Sequence, residues 1–69
     1  MSDHVYGMSE IVGSSTTSID EAIRTAVRKA ARTVRNIDWF EVDEIRGHVV
    51  DGDVGHVQVR VKLGFRIED

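Results

Sequence analysis

Cysteine is absent from this 69-residue chain, which removes disulfides and thiolate metal sites together. The three histidines, His4, His48 and His56, lie far apart in sequence and show no ligand spacing, so the sequence predicts no metal centre. No apolar run approaches the roughly 18 residues of a membrane span. The opening residues, MSDHVYG, have neither the basic nor the apolar part of a signal peptide. Lys and Arg total 9 against 12 Asp and Glu, for a formal net charge of -3, so the basic face of a nucleic-acid binder is missing. These absences predict a cytoplasmic protein with no nucleic-acid and no membrane partner. A chain this short is one domain, residues 1–69, with a limited core. Such chains usually need a metal, disulfides or oligomerisation to be robust. With the first two set aside, oligomerisation is expected.

What is present reads as strand, helix, strand, strand. Residues 4 to 12, HVYGMSEIV, form a β-branched and aromatic run. Gly13 and the polar residues 14 to 17 predict a loop. Ser18 followed three residues later by Glu21 fits a capping box, in which each side chain covers an orphan backbone N–H. Apolar residues then recur at Ile19, Ala22, Ile23, Ala26, Val27, Ala30, Ala31, Val34 and Ile37, one stripe of an amphipathic helix. Its alanines allow close approach to a sheet. Arg24, Arg28, Lys29, Arg32 and Arg35 project from the other faces and read as a solvated surface in preference to an anion site. Asn36 and Asp38 supply the stop.

Residues 39 to 50, WFEVDEIRGHVV, read as a second strand whose alternation slips: Phe40 and Val42 share one parity, Ile45 and Val49 the other. A strand cannot change parity without an irregularity, which predicts a β-bulge or sharp bend at residues 43 to 45. Residues 51 to 55, DGDVG, form the turn of a hairpin. The last strand alternates cleanly, with Val57, Val59, Val61, Leu63, Phe65 and Ile67 on one face and His56, Gln58, Arg60, Lys62, Gly64 and Arg66 on the other. The expected protomer is α+β: a βαββ unit with a three-stranded antiparallel sheet packed on one helix over its valine face. The second sheet face and two edges are then uncovered, and exposed edges invite pairing with other chains. Trp39, of opposite parity to Phe40 and Val42, falls on the face away from the helix. It must meet a neighbouring subunit or a ligand, so a closed symmetric homo-oligomer is expected.

The segments WFEVDEIRGHVVDG and HVQVRVKLGFRIED, preceded by a strand and a capped helix, resemble a bacterial dodecin over essentially the whole chain. The block WFEV-x-x-IRG, the hairpin residues up to Gln58 and Val59, and the closing GFR carry the resemblance. It implies a hollow dodecamer that binds FMN or riboflavin between subunits, with flavins stacked in antiparallel pairs between symmetry-related tryptophans. Storage, sequestration or photoprotection of flavin is the implied role, and coenzyme A is a further implied ligand. Trp39 matches the stacking tryptophan and Gln58 the glutamine at the polar edge of the isoalloxazine ring. Arg46 matches an arginine close to FMN and is the candidate for its phosphate or ribityl tail. Glu44 falls where archaeal relatives carry a carboxylate near the ribityl chain. Tyr6 and Arg66 are candidate contacts at the mouth of the site or with coenzyme A.

The residues themselves allow blander roles. Trp is enriched at protein contacts generally, Gln58 suits a cross-strand glutamine, and Arg46 suits an intersubunit salt bridge. His48 and His56 read as hairpin or interface polar residues in preference to catalysts. No nucleophile, base or metal set with mutual geometry is evident, so the chain is not expected to be an enzyme. The alternative to flavin storage is a coenzyme A-binding or structural oligomer whose flavin site is weak or unused.

Overall fold

The computed structural model describes residues 3–68. The chain runs β1 (Tyr6–Ser15), α1 (Ile19–Ala30), β2 (Ile37–Val50) and β3 (Asp53–Arg66), and the strands form one antiparallel sheet in the order β1-β3-β2. The expected βαββ architecture is therefore present. β1 reaches further than its apolar run, because the long β3 offers ladder partners to the serines: Ser14 pairs with Gln58 and Ser15 with Val57. The connection to the helix shrinks accordingly. Ser15 Oγ accepts from the backbone N–H of Thr17 at 2.9 Å and of Ser18 at 3.2 Å, closing a tight turn.

Ser18 caps α1 in an extended conformation, its hydroxyl accepting from the Glu21 N–H at 3.0 Å. The reciprocal half of the capping box does not form. The Ser18 N–H is held by Ser15, and the Glu21 carboxylate turns to the Thr25 hydroxyl at 3.4 Å and Arg28 at 3.7 Å. Arg24 forms an exposed pair with Asp20 at 2.9 Å, and that hydrogen bond and charge raise its pKa. The helix ends at Ala30, shorter than the apolar periodicity to Ile37 suggests. One more turn follows, with the Val34 N–H on the Ala30 carbonyl at 2.8 Å. Asn36 then adopts φ 62°, the left-handed conformation that asparagine tolerates, and β2 starts at once with Ile37.

The core lies between α1 and the β1–β3 half of the sheet. Val59, Val61 and Leu63 are fully buried beneath Ala22, with Ile11, Ile23, Val27, Ile37 and Val57 around them. Each of the three buried side chains contributes about 1.5–3 kcal/mol relative to exposure. The small residues set the spacing. A Cβ on Gly13 would collide with the Ala22 carbonyl oxygen and lie 2.9 Å from the Ala26 Cβ, so the helix rests on β1 backbone.

The helix packs on β1 and β3 and does not cover β2. The expectation that it covers the valine face of the sheet therefore holds for β1 and β3 but not for β2. On β2, Phe40, Val42 and Ile45 are 50%, 42% and 52% exposed. The bulge predicted for residues 43 to 45 is present: Val42 pairs with Val61 and Glu44 with Arg60, leaving Asp43 as the extra residue. It returns Ile45 to the face of Phe40 and Val42, which resolves the parity slip. A second irregularity, at Asp38, puts Trp39 opposite Gly64 on the face away from the helix, where its parity places it. The hairpin closes on the two-residue turn of Asp51 (φ 52°) and Gly52 (φ 76°), the left-handed pair that suits twisted strands.

Candidate ligand site

Two groups of side chains occupy the face of the sheet away from α1, one at the C-terminal end of β3 and one along its middle. The first is aromatic. Gly64 lies between Met8 of β1 and Trp39 of β2, and a Cβ at this position would collide with the Trp39 atoms Cε2, Cζ2 and Cη2. Trp39 thus lies across the sheet, over the one β3 residue of this face with no side chain. It meets Tyr6 edge-on, with ring centroids 5.3 Å apart and planes at 67°. Such contacts contribute about 0.5–1.5 kcal/mol beyond area burial. The indole remains 39% exposed, so it is supported from below and beside while keeping free surface. Arg66 is the register partner of Tyr6, at the same end of the sheet.

The second group is polar. Arg46 and Gln58 are cross-strand partners, and Arg46 Nε donates to Gln58 Oε1 at 3.1 Å. Gln58 Nε2 points at Ser14 Oγ, 3.5 Å away on β1. Arg46, Gln58, Glu44, Arg60 and Val12 line a small recess. Glu44 lies 3.8 Å from Arg46 and 3.7 Å from Arg60. The bulged Asp43 takes Arg60 at 3.1 Å and Lys62 at 3.9 Å. All these groups are substantially exposed, so each pair contributes about 0.2–1 kcal/mol at most. Glu10 and Glu41, the register partners of Lys62, lie on the same face, so the cations are matched by carboxylates, and the recess itself offers the Arg46 and Arg60 guanidiniums beside Glu44.

Of the six candidate residues, the structure brings Arg46, Gln58 and Glu44 together and, separately, Trp39, Tyr6 and Arg66. It does not join the two groups within one chain. Trp39 stands opposite Gly64, six residues along β3 from Gln58, a distance of about 20 Å at strand rise. Two residues that matter to this geometry were not singled out as site residues. Ser14 was hidden because it reads as loop. Gly64 had a visible signal, a lone glycine in an alternating strand, which marks close approach of another group.

The histidines need a correction. His48 and His56 are eight residues apart in sequence but are direct cross-strand partners, their rings stacked with centroids 4.4 Å apart and planes at 27°. An Asp-Gly turn that pairs Val50 with Asp53 would pair residue 48 with 55 in a regular ladder. The extra residue Gly55 on β3 shifts the register and brings 48 opposite 56.

Fold and site together define a small binding protein with an aromatic platform and a polar recess on the sheet face that its one helix does not cover. The family model for dodecin matches residues 5–68. The dodecin of Thermus thermophilus is 43% identical over 65 residues, covering 94% of both chains. The structure of dodecin from Streptomyces coelicolor superposes with a TM-score of 0.93 at 51% identity, covering 100% of this chain and 99% of that one. A calcium dodecin of Mycobacterium tuberculosis, described as having a novel calcium-binding site, matches at 28% identity with a TM-score of 0.79, covering 93% and 91%. This chain belongs to the dodecin family, whose members are small binding proteins rather than enzymes. Among the described residues no helix is long and apolar enough to cross a membrane.

Proposed function

We propose that this chain binds FMN and holds it as a storage, sequestration and photoprotection protein, in a homododecamer whose sites lie between subunits. The observation that carries the reading is Trp39, an indole seated over Gly64, braced by Tyr6 and still 39% exposed. A planar aromatic surface of this kind suits a flat tricyclic ring, and its remaining exposure is costly unless something covers it. The polar recess fits the rest of the ligand. The Gln58 amide offers a donor and an acceptor to the edge of the ring. Arg46 has guanidinium nitrogens beyond the one given to Gln58, and a guanidinium pairs with phosphate in bidentate fashion.

Because Trp39 and Gln58 are about 20 Å apart in one chain, they serve one flavin ring only when contributed by different subunits. Flavin supplies a redox-active, light-absorbing ring. Stacking on both its faces would leave no approach for a substrate, which fits storage and not turnover. Trp39 would also be the electron donor that quenches the excited ring, the basis of photoprotection.

The test is Trp39→Ala, read by FMN titration and by particle size. Stacking on one aromatic face is worth about 1–3 kcal/mol. Affinity should fall by about 5- to 150-fold, with the assembly intact and flavin emission less quenched. Unchanged FMN binding would refute the reading and favour the coenzyme A-binding or structural oligomer.

A further inference from the structure

We propose that His48 and His56 form a bidentate site for a borderline transition-metal dication, Cu²⁺, Ni²⁺ or Zn²⁺, on the β2–β3 hairpin. The inference does not rest on flavin binding. The two imidazoles are fixed by the sheet register, on strands held by the ladder, with ring centroids 4.4 Å apart. Two nitrogen ligands at about 2.0–2.1 Å from one ion stand about 3 Å apart when cis. Bringing a nitrogen of each ring onto one ion requires the rings to tilt out of their stack by rotation about the side-chain bonds, while the cross-strand pairing keeps the two residues adjacent. His48 is exposed and His56 half-buried, so an ion can reach both.

Ligand chemistry sets the class of ion. Imidazole suits copper, nickel and zinc, whereas calcium and magnesium require oxygen donors. Among the described residues no group of three or more His, Cys, Asp or Glu is placed to hold a metal. The site is thus a two-imidazole chelate, its remaining positions filled by water. That arrangement differs from an oxygen-lined calcium site. Arg46, the next cross-strand position on this face, is drawn towards Glu44 and Gln58, which moderates its repulsion of the ion. The backbone brings the imidazoles together before the ion arrives, so little ordering is required on binding.

The experiment uses the tag-free full-length protein as purified, with Cu²⁺ and Ni²⁺ titrated against a chromophoric chelator, and Ca²⁺ as the contrasting ion. Saturable binding is expected, tighter for Cu²⁺ than for Ni²⁺ in the usual order, with no response to Ca²⁺. His48→Ala or His56→Ala should weaken it by roughly 10²-fold, because either change converts a chelate into a single ligand. All titrations are made in a His4→Ala background, so that His4 contributes no Cu²⁺ or Ni²⁺ binding of its own. His56→Phe keeps an aromatic cross-strand pair while removing the ligand, so it separates loss of metal from loss of hairpin structure. In proton spectra of that background, Ni²⁺ or Cu²⁺ should broaden the rings of His48 and His56. Absence of saturable binding, or equal affinity in the His48 and His56 variants, would overturn the proposal. Either result would leave FMN binding untouched, so the two readings fail separately.

Discussion

Gly64→Ala adds one methyl group and tests the link from strand geometry to ligand binding. That methyl would occupy the space now held by Cε2, Cζ2 and Cη2 of Trp39, so the indole and the new side chain cannot both stay. The β3 backbone cannot retreat, since Val61 and Leu63 are fully buried against the helix on its other face. The indole has to swing. An off-rotamer side chain costs about 0.5–1.5 kcal/mol, and losing the edge contact with Tyr6 costs about 0.5–1.5 kcal/mol more. Neither should unfold the chain, because Trp39 lies outside the helix-facing core. The effect should fall on the ligand. A displaced indole gives up stacking worth about 1–3 kcal/mol, so FMN affinity should drop by about 5- to 150-fold, close to the effect of Trp39→Ala. FMN titration by fluorescence measures the affinity, near-ultraviolet circular dichroism reports the indole's surroundings, and light scattering reports particle size. Native-like FMN affinity together with an unchanged tryptophan dichroism would show that the indole is not seated over Gly64, and the platform argument would fall.

Gly13→Ala should act on stability instead, because its methyl meets the Ala22 carbonyl oxygen, which is helix backbone and cannot swing aside. A loss of about 1–3 kcal/mol should appear as a lowered thermal midpoint at about 4–8 °C per kcal/mol, and an unchanged midpoint would contradict the close packing of α1 on β1. Co-assembling Trp39→Ala chains with Gln58→Ala chains tests whether one ring is held by two subunits. Random mixing should restore about one intact site in four, seen as partial recovery of FMN binding over either variant alone; no recovery would mean that both residues serve the ring from one chain.

The parts of this fold that were legible in the sequence rest on local physics. Ser18 announces its cap, the parity slip between Val42 and Ile45 requires the bulge found at Asp43, and Asp51-Gly52 marks its turn. Trp39 could be assigned to the face away from the helix by parity alone. Other features depend on partners that sequence does not reveal. The helix stripe runs on to Ile37, yet α1 stops at Ala30, because Ile37 is apolar for the sake of β2 and packs under the helix from there. Ser14 and Ser15 read as loop but are strand, since β3 supplies their ladder bonds. The pairing of His48 with His56 depends on one extra residue, Gly55, and a single-residue shift of register is not visible in a strand with glycine and valine on both sides of it.

The separation of Trp39 from Gln58 and the bare face of β2 have one physical origin. A helix about 10 Å across covers about two strands spaced at 4.8 Å, and this chain has one helix for three strands. α1 settles on β1 and β3, where Gly13 and the alanines allow contact, and Phe40, Val42 and Ile45 are left about half exposed. Twelve helical residues extend about 18 Å, whereas the fourteen-residue strands of the hairpin extend about 46 Å, so the hairpin also runs well past the helix. Apolar surface of this kind on a 69-residue chain calls for cover from another copy. The same copy can supply the Gln58 and Arg46 that one chain holds about 20 Å from its own Trp39. A protomer that cannot finish its core alone therefore cannot finish its binding site alone, and loss of assembly should abolish FMN binding even with all six site residues in place.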